Sequence, residues 1–238
     1  MAPLPPNTAV PYITTIAQVR EVTLVGSADL TFWQRHLAHK NLAPTPANGR
    51  AQLILSAPNL RWSGIRFQEL SLGVLVGQPP AGMPLTGLYL AYAANSSRLL
   101  AFLERTLFHT PYECQAVCVD ATLPASISVT TRSGVSMRAA MAPSATRLWG
   151  RDDEWEGTIF LPTPPARRAQ GRWFRARLGG PTVAYAFNPA TDTLTLNPAG
   201  GAGLPQVLID SQFTPEEWRL RTNATHARSR TYAWKGRR

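Results

Sequence analysis

Between Phe67 and Val76, the residues Leu70, Leu72, Val74 and Val76 occupy every second position, the period of a strand with one buried face. Short apolar runs of this kind recur along the chain, each closed by Gly, Pro, Asn or Ser. They predict strands over 16–25, 51–57, 67–76, 88–94, 113–121, 157–161, 172–178, 182–187 and 193–197, and a hairpin of 125–131 with 135–141. Helical spacing is rarer. It predicts a helix over 28–41, capped by Ser27 or Asp29 and stopped by Pro44. A second helix starts at Asn95-Ser96, carries Leu99, Phe102, Leu103 and Leu107, and is blocked by Pro111. Thr214-Pro215-Glu216-Glu217 reads as a capping-box start of a third.

About ten strands against three helices, mostly joined by short turns, is the pattern of a strand-rich α+β fold with a largely antiparallel sheet. So many strands are expected to close into a β-barrel, which removes exposed edges, with the few helices peripheral. No internal repeat or composition shift divides the chain. Residues 1–218 read as one domain behind a Pro-rich arm over 1–11, and 219–238 as a basic C-terminal tail. Pro162 to Gly171 and Pro198 to Pro205 read as surface loops.

The formal net charge is +10 over 238 residues. It is unevenly placed: 219–238 holds Arg219, Arg221, Arg228, Arg230, Lys235, Arg237 and Arg238 and no acid. Interleaved with Tyr232 and Trp234, that segment is the one candidate for nucleic-acid or polyanion binding. In the body, Asp152, Asp153, Glu154 and Glu156 precede Arg167, Arg168, Arg172, Arg175 and Arg177, opposite signs that can pair across a hairpin. Only Lys40 and Lys235 are lysines, so any imine chemistry must use one of them.

No uncharged apolar run reaches the roughly 18 residues of a membrane span, and MAPLPPNTAVPY lacks the basic start and apolar core of a signal peptide. Two cysteines, Cys114 and Cys118, are too few for a disulfide scaffold and fall on one strand, too far apart to bridge. A cytoplasmic protein is the expectation. Phosphate-loop, dinucleotide, nucleophile-elbow and HExxH patterns are all absent from the sequence. His36 and His39 share a helical spacing without a third ligand and read as a solvated face, so neither a metal nor a cofactor is expected.

The most specific stretch is 64–120: GIRFQELSLGVLV, then GLYLAYAANSSRLLAFLERTLFHTPYECQAVCVD. An apolar strand carries an internal Glu, a Gly-aromatic strand follows, a helix ends in Glu-Arg, and Thr-Pro-Tyr turns into the next strand. This arrangement resembles the acetoacetate decarboxylase-like superfamily, in particular its branches of uncharacterised function. The resemblance covers about a quarter of the chain and implies a closed β-barrel with an internal pocket. It also implies a Lys-Lys pair just after the Pro corner, whose first member forms a Schiff base with substrate. Here Pro111 is followed by Tyr112-Glu113, neither of which can form an imine.

Glu69 lies opposite in phase to Leu70, Leu72 and Val74. If that face is the barrel interior, Glu69 is a buried carboxyl with a raised pKa and a candidate acid/base; if it is solvent, Glu69 is ordinary. Arg105 is a candidate partner for Glu69 or for an anionic ligand, or else a surface complement to the helix C-terminus. Tyr89 and Tyr112 offer hydroxyl donors or satisfied core tyrosines. Glu113, in the place of a family lysine, is a ligand-binding candidate or a solvated strand-start residue.

The expected function is a decarboxylase-like protein binding a small organic acid or carbonyl compound without Schiff-base chemistry. As an enzyme it would be a non-Schiff-base lyase or hydrolase. The alternatives are a non-catalytic ligand-binding or regulatory protein, and polyanion binding through the tail. A homo-oligomer is compatible with the sequence.

Overall fold

Two-residue turns bound the strand Arg50–Trp62 at both ends. Asn48-Gly49 and Ser63-Gly64 both sit at positive φ (50° and 74°, 47° and 84°), the backbone that matches the twist of paired strands. The computed structural model describes residues 9–40, 42–77, 87–131, 134–162, 170–198 and 203–235. Most of the Pro-rich arm, residues 163–169 and residues 199–202 therefore lie outside the described residues.

In chain order the elements are β1 (Tyr12–Ala28), α1 (Leu30–Ala38), β2 (Ala43–Pro44), β3 (Pro46–Ala47), β4 (Arg50–Trp62), β5 (Ile65–Gly77), β6 (Gly87–Asn95) and α2 (Arg98–Leu103). A π-helical turn, Glu104–Phe108, extends α2. Next come β7 (Tyr112–Cys114), β8 (Ala116–Asp120), β9 (Ser126–Thr131), β10 (Gly134–Ala140), β11 (Arg147–Leu161) and β12 (Gln170–Ala186). The chain ends with β13 (Thr193–Leu196), α3 (Leu204–Asp210), β14 (Thr214–Ser229) and β15 (Tyr232–Lys235). The protein is a strand-rich α+β fold, as expected.

The large sheet runs β2-β5-β4-β1-β14-β12-β11-β6-β7, and β5 also pairs with β6. The hydrogen-bonded path thus returns on itself through β5, β4, β1, β14, β12, β11 and β6. All pairings are antiparallel except β6 with β11 and β6 with β7. A second sheet, β13-β10-β9-β8, packs against one face of the first. Between them lies the main core, where Leu70, Leu72, Val74 and Val76 meet Leu53, Leu55, Ile127, Val129 and Met137, with Trp33 and Leu37 of α1 and Leu208 of α3. The opposite face of the large sheet carries Glu21, Thr23, Ser56, Phe67 and Glu69, and it is this face that builds the site.

Several sequence expectations are corrected. The segment read as a basic tail is not one. Residues 214–229 form β14, paired with β1 on one side and β12 on the other. The capping-box reading at Thr214 fails with it, because the following Trp218, Leu220 and Ala224 are buried by strand pairing. Three of the segment's arginines are paired within the fold: Arg219 with Glu217, Arg221 with Glu21 and Asp153, and Arg228 with Glu104. The two strands expected over 172–187 are one continuous β12, since Gly180 (φ 145°) allows a register shift against β14 instead of a turn. A Cβ at Gly180 would meet the Asn223 carbonyl oxygen at 2.8 Å. Leu204 and Pro205, the end of the segment read as a loop, instead begin a helix that runs to Asp210.

α1 is capped by Asp29, whose Oδ1 accepts from Phe32 N at 2.5 Å. Its His36 is not on a solvated face: it is half-buried against the rings of Phe32, Trp33 and Tyr89. Of the stripe expected on the second helix, Leu99, Phe102 and Leu107 are exposed, because α2 packs instead through Leu100, with Leu103 partly buried, against Val19, Leu60 and Phe67. The two cysteines are free, and both are exposed rather than buried. The acidic and basic blocks do pair across the β11–β12 hairpin, Arg175 with Glu156 and Arg177 with Glu154.

Candidate functional site

Because β5 alternates, Glu69 points away from the main core and into a cavity of about 290 Å³. The cavity walls are mostly apolar: Ile16, Leu60, Phe67, Leu100, Leu103 and Phe174 line it. At its mouth stand Trp62, from the tip of the β4–β5 hairpin, and Leu107, from the π turn, exposed by 40% and 64%. α2 and the π turn form one wall, and β5, β12 and β14 supply others.

Each Glu69 oxygen has a neutral donor. The amide Nδ2 of fully buried Asn95 donates to Oε1 at 2.8 Å, and the Tyr112 hydroxyl donates to Oε2 at 3.0 Å. Asn95 is itself held, its Oδ1 accepting from Ser97 N at 2.7 Å. Burial raises the Glu69 pKa, and the nearby Glu104 charge raises it further; the Tyr112 bond, the Arg228 charge and the Asn95 bond oppose them, leaving it at about 7. Burial, together with the charges of Glu69 and Glu104, pushes the Tyr112 hydroxyl well above 10, so it remains a proton donor at neutral pH.

The π turn places Glu104 at the same end of the cavity. Thr110 closes the turn by donating its N–H and its hydroxyl to the Glu104 carbonyl, at 3.1 and 2.9 Å. Its Oγ1 also lies 2.5 Å from Glu104 Oε2. Arg228 Nη1 donates to both Glu104 oxygens at 2.7 Å. The guanidinium lies over Phe108 at 4.6 Å and Phe174 at 4.2 Å, and Nε and Nη2 are buried there without a hydrogen-bond partner.

A second polar cluster sits deeper on the same sheet face. Buried Glu21 accepts from Thr23, Ser56 and Arg221 and contacts His226 Nε2 at 3.2 Å. Burial alone would raise its pKa, but the His226 bond and charge, then Arg221 and Ser56, hold it well below the usual carboxylate range. Arg221 continues to Asp153 at 3.0 Å. His226 reaches the cavity wall. Among the described residues no group of three or more His, Cys, Asp and Glu is placed to hold a metal ion.

No family model matches the sequence, and no curated protein matches it. Solved structures do match. An acetoacetate decarboxylase superposes with a TM-score of 0.62 at 13% identity, covering 96% of this chain and 91% of the other. The enzyme from Legionella pneumophila gives 0.62 at 11% identity, covering 97% and 90%. The fold is that of acetoacetate decarboxylase. MppR, an enduracididine biosynthesis enzyme solved with the condensation product of pyruvate and imidazole 4-carboxaldehyde, gives 0.59 at 10% identity, covering 93% and 88%.

Within this acetoacetate decarboxylase-like fold, Glu69 and Tyr112 of the sequence candidates are brought together. Arg105 is not with them; it is exposed on the π turn and absent from the cavity wall, and the cation near Glu69 is Arg228. Tyr89 faces the main core, 6.3 Å from the His36 ring, with Lys40 Nζ 5.4 Å above its own. Glu113 is exposed and accepts from Gln115 at 2.8 Å and from Tyr92 at 3.5 Å. The sequence reading missed Asn95, Glu104, His226 and Arg228 as site residues. Period two in Ala224, His226 and Arg228 carried a signal, obscured because the segment was read as tail.

Proposed function

We propose that the protein binds a small organic acid or carbonyl compound in the cavity and that Glu69 acts on it as general acid/base, without a Schiff base. The observation that carries this reading is a carboxyl of pKa about 7 facing an apolar cavity and backed by a tyrosine hydroxyl. The cyclic strand pairing supports a closed barrel with the cavity inside it. A carboxyl half-protonated near pH 7 can both give a proton to a ligand oxygen and take one from a ligand carbon, a role worth typically 10²–10⁴-fold in rate. Tyr112 donates to Glu69 in either state and steadies the ionised one. Tyr112-Glu113 follow Pro111 where the family resemblance implies Lys-Lys, and no lysine is among the described residues lining the cavity. That favours a lyase or hydrolase free of imine chemistry, or a binding protein that uses the same contacts.

Two measurements test this. Borohydride reduction in the presence of acetoacetate should leave the protein unlabelled; a labelled Lys40 would sink the imine-free reading. A thermal-shift panel of organic acids and carbonyl compounds should stabilise the wild type more than Glu69→Gln. Equal stabilisation of both would remove Glu69 from the site.

A further inference from the structure

We infer that the cavity selects a neutral, largely apolar molecule carrying one carbonyl or hydroxyl oxygen, and rejects carboxylates; this narrows the ligand class and rests on the reading that the cavity is a ligand site. The basis is how charges are distributed around its wall. Among the described residues three basic side chains line it, and each already contacts a carboxylate: Arg228 pairs with Glu104, Arg177 with Glu154, and His226 with Glu21, which it shares with Arg221. Glu69 alone has no cation bonded to it, only the neutral donors Asn95 and Tyr112. Among the described residues the wall thus carries one carboxyl more than it has free cations, and an entering anion meets no unpaired positive group there.

Arg228 is the one side chain that could reverse this, since its Nε and Nη2 lack partners. Those atoms have no exposed surface. Phe108 and Phe174 flank the guanidinium, and Nη1 is held by both Glu104 oxygens. A ligand carboxylate would have to break that arrangement and then lie beside Glu104, where like charges repel in a poorly solvated space. A neutral ligand meets no such obstacle. Its ring or chain contacts Leu60, Phe67, Leu100, Leu103 and Phe174, and its oxygen accepts from protonated Glu69 or donates to the ionised form. An amine would pair with ionised Glu69, but only by holding it charged in an apolar cavity.

Matched phenyl compounds test the inference by calorimetry on the full chain: acetophenone and 1-phenylethanol as neutral probes, benzoate as the anion, benzylamine as the cation. The neutral pair should bind at least tenfold more tightly than benzoate or benzylamine, and Leu103→Trp, which fills the cavity, should abolish their binding. Benzoate or benzylamine binding as tightly as acetophenone, and lost in Leu103→Trp, overturns the inference while leaving the cavity a ligand site. No binding by any probe, or binding indifferent to Leu103→Trp, defeats the ligand-site reading itself and the inference with it. Glu104→Gln frees the Arg228 charge and should raise benzoate affinity at least tenfold. Unchanged benzoate affinity in that variant would show that the Arg228–Glu104 pair is not what excludes anions.

Discussion

The Tyr112 hydroxyl donates to Glu69 Oε2 at 3.0 Å, joining the residue after the Pro111 corner to the internal carboxyl of β5. The bond favours ionised Glu69 and lowers its pKa against the pull of burial. Replacing Tyr112 by Phe therefore should move the Glu69 titration above 7, by about one pH unit for a bond to a charged group. Carbon-detected NMR of labelled glutamate would follow it. A midpoint unchanged or lowered in Tyr112→Phe would refute the coupling.

Glu104 acts in the opposite sense, since its charge raises the Glu69 pKa. Glu104→Gln should bring the Glu69 midpoint below about 7. The same NMR titration reads it, and a rise would mean that the released Arg228 no longer faces Glu69.

Glu69 and Glu21 should give stability opposite pH dependences. Glu69 has a folded pKa above its unfolded value, so the unfolded chain releases its proton first. Stability should fall as pH rises from about 4.5 to about 7, by at most about 1.4 kcal/mol per pH unit from this group. Glu69→Gln should be nearly neutral at pH 5 and stabilising at pH 8. Glu21 has its pKa depressed, so its contribution is present above about 4.5 and lost as pH falls further. Glu21→Gln leaves His226 without its anion and Arg221 with Asp153 alone, and should cost about 3–5 kcal/mol at pH 7. Urea melts of both variants at pH 5 and 8 check the signs; Glu69→Gln destabilising at pH 8 would contradict the burial of that carboxyl.

A chain ending after Trp218 lacks most of β14, and with it the link between β1 and β12. It should show no cooperative thermal transition. A truncated chain that melts as sharply as the full one would mean that residues 219–229 do not pair as described.

Much of the fold was legible because it is local. Leu70 to Val76 alternate on β5, and that phase alone placed Glu69 on the face opposite the main core. Pro111 ended the second helix as its ring requires. What escaped depends on pairing between distant segments. Nothing within Arg219–Ser229 says that two partner strands flank it, so its arginines read as loose charge when Arg221 and Arg228 are in fact committed to Glu21 and Glu104. Glu104 was passed over beside Arg105, and nothing local to that stretch reveals that the chain runs through a π turn there. The turn signals Asn48-Gly49 and Ser63-Gly64 were present and would have extended β4 and β5 to their full lengths.

The π turn has a consequence for how relatives of this chain can diverge. It holds one residue more than an α-helical turn over the same rise. Deleting any one residue between Leu103 and His109 would restore α geometry and swing the rest of the turn by about 100°. Phe108 would leave the guanidinium of Arg228, and Thr110 could no longer close onto Glu104. A homologue could keep the type of every polar residue around the cavity and still lose its charge arrangement through that single gap, so loop length here is as informative about ligand class as residue identity.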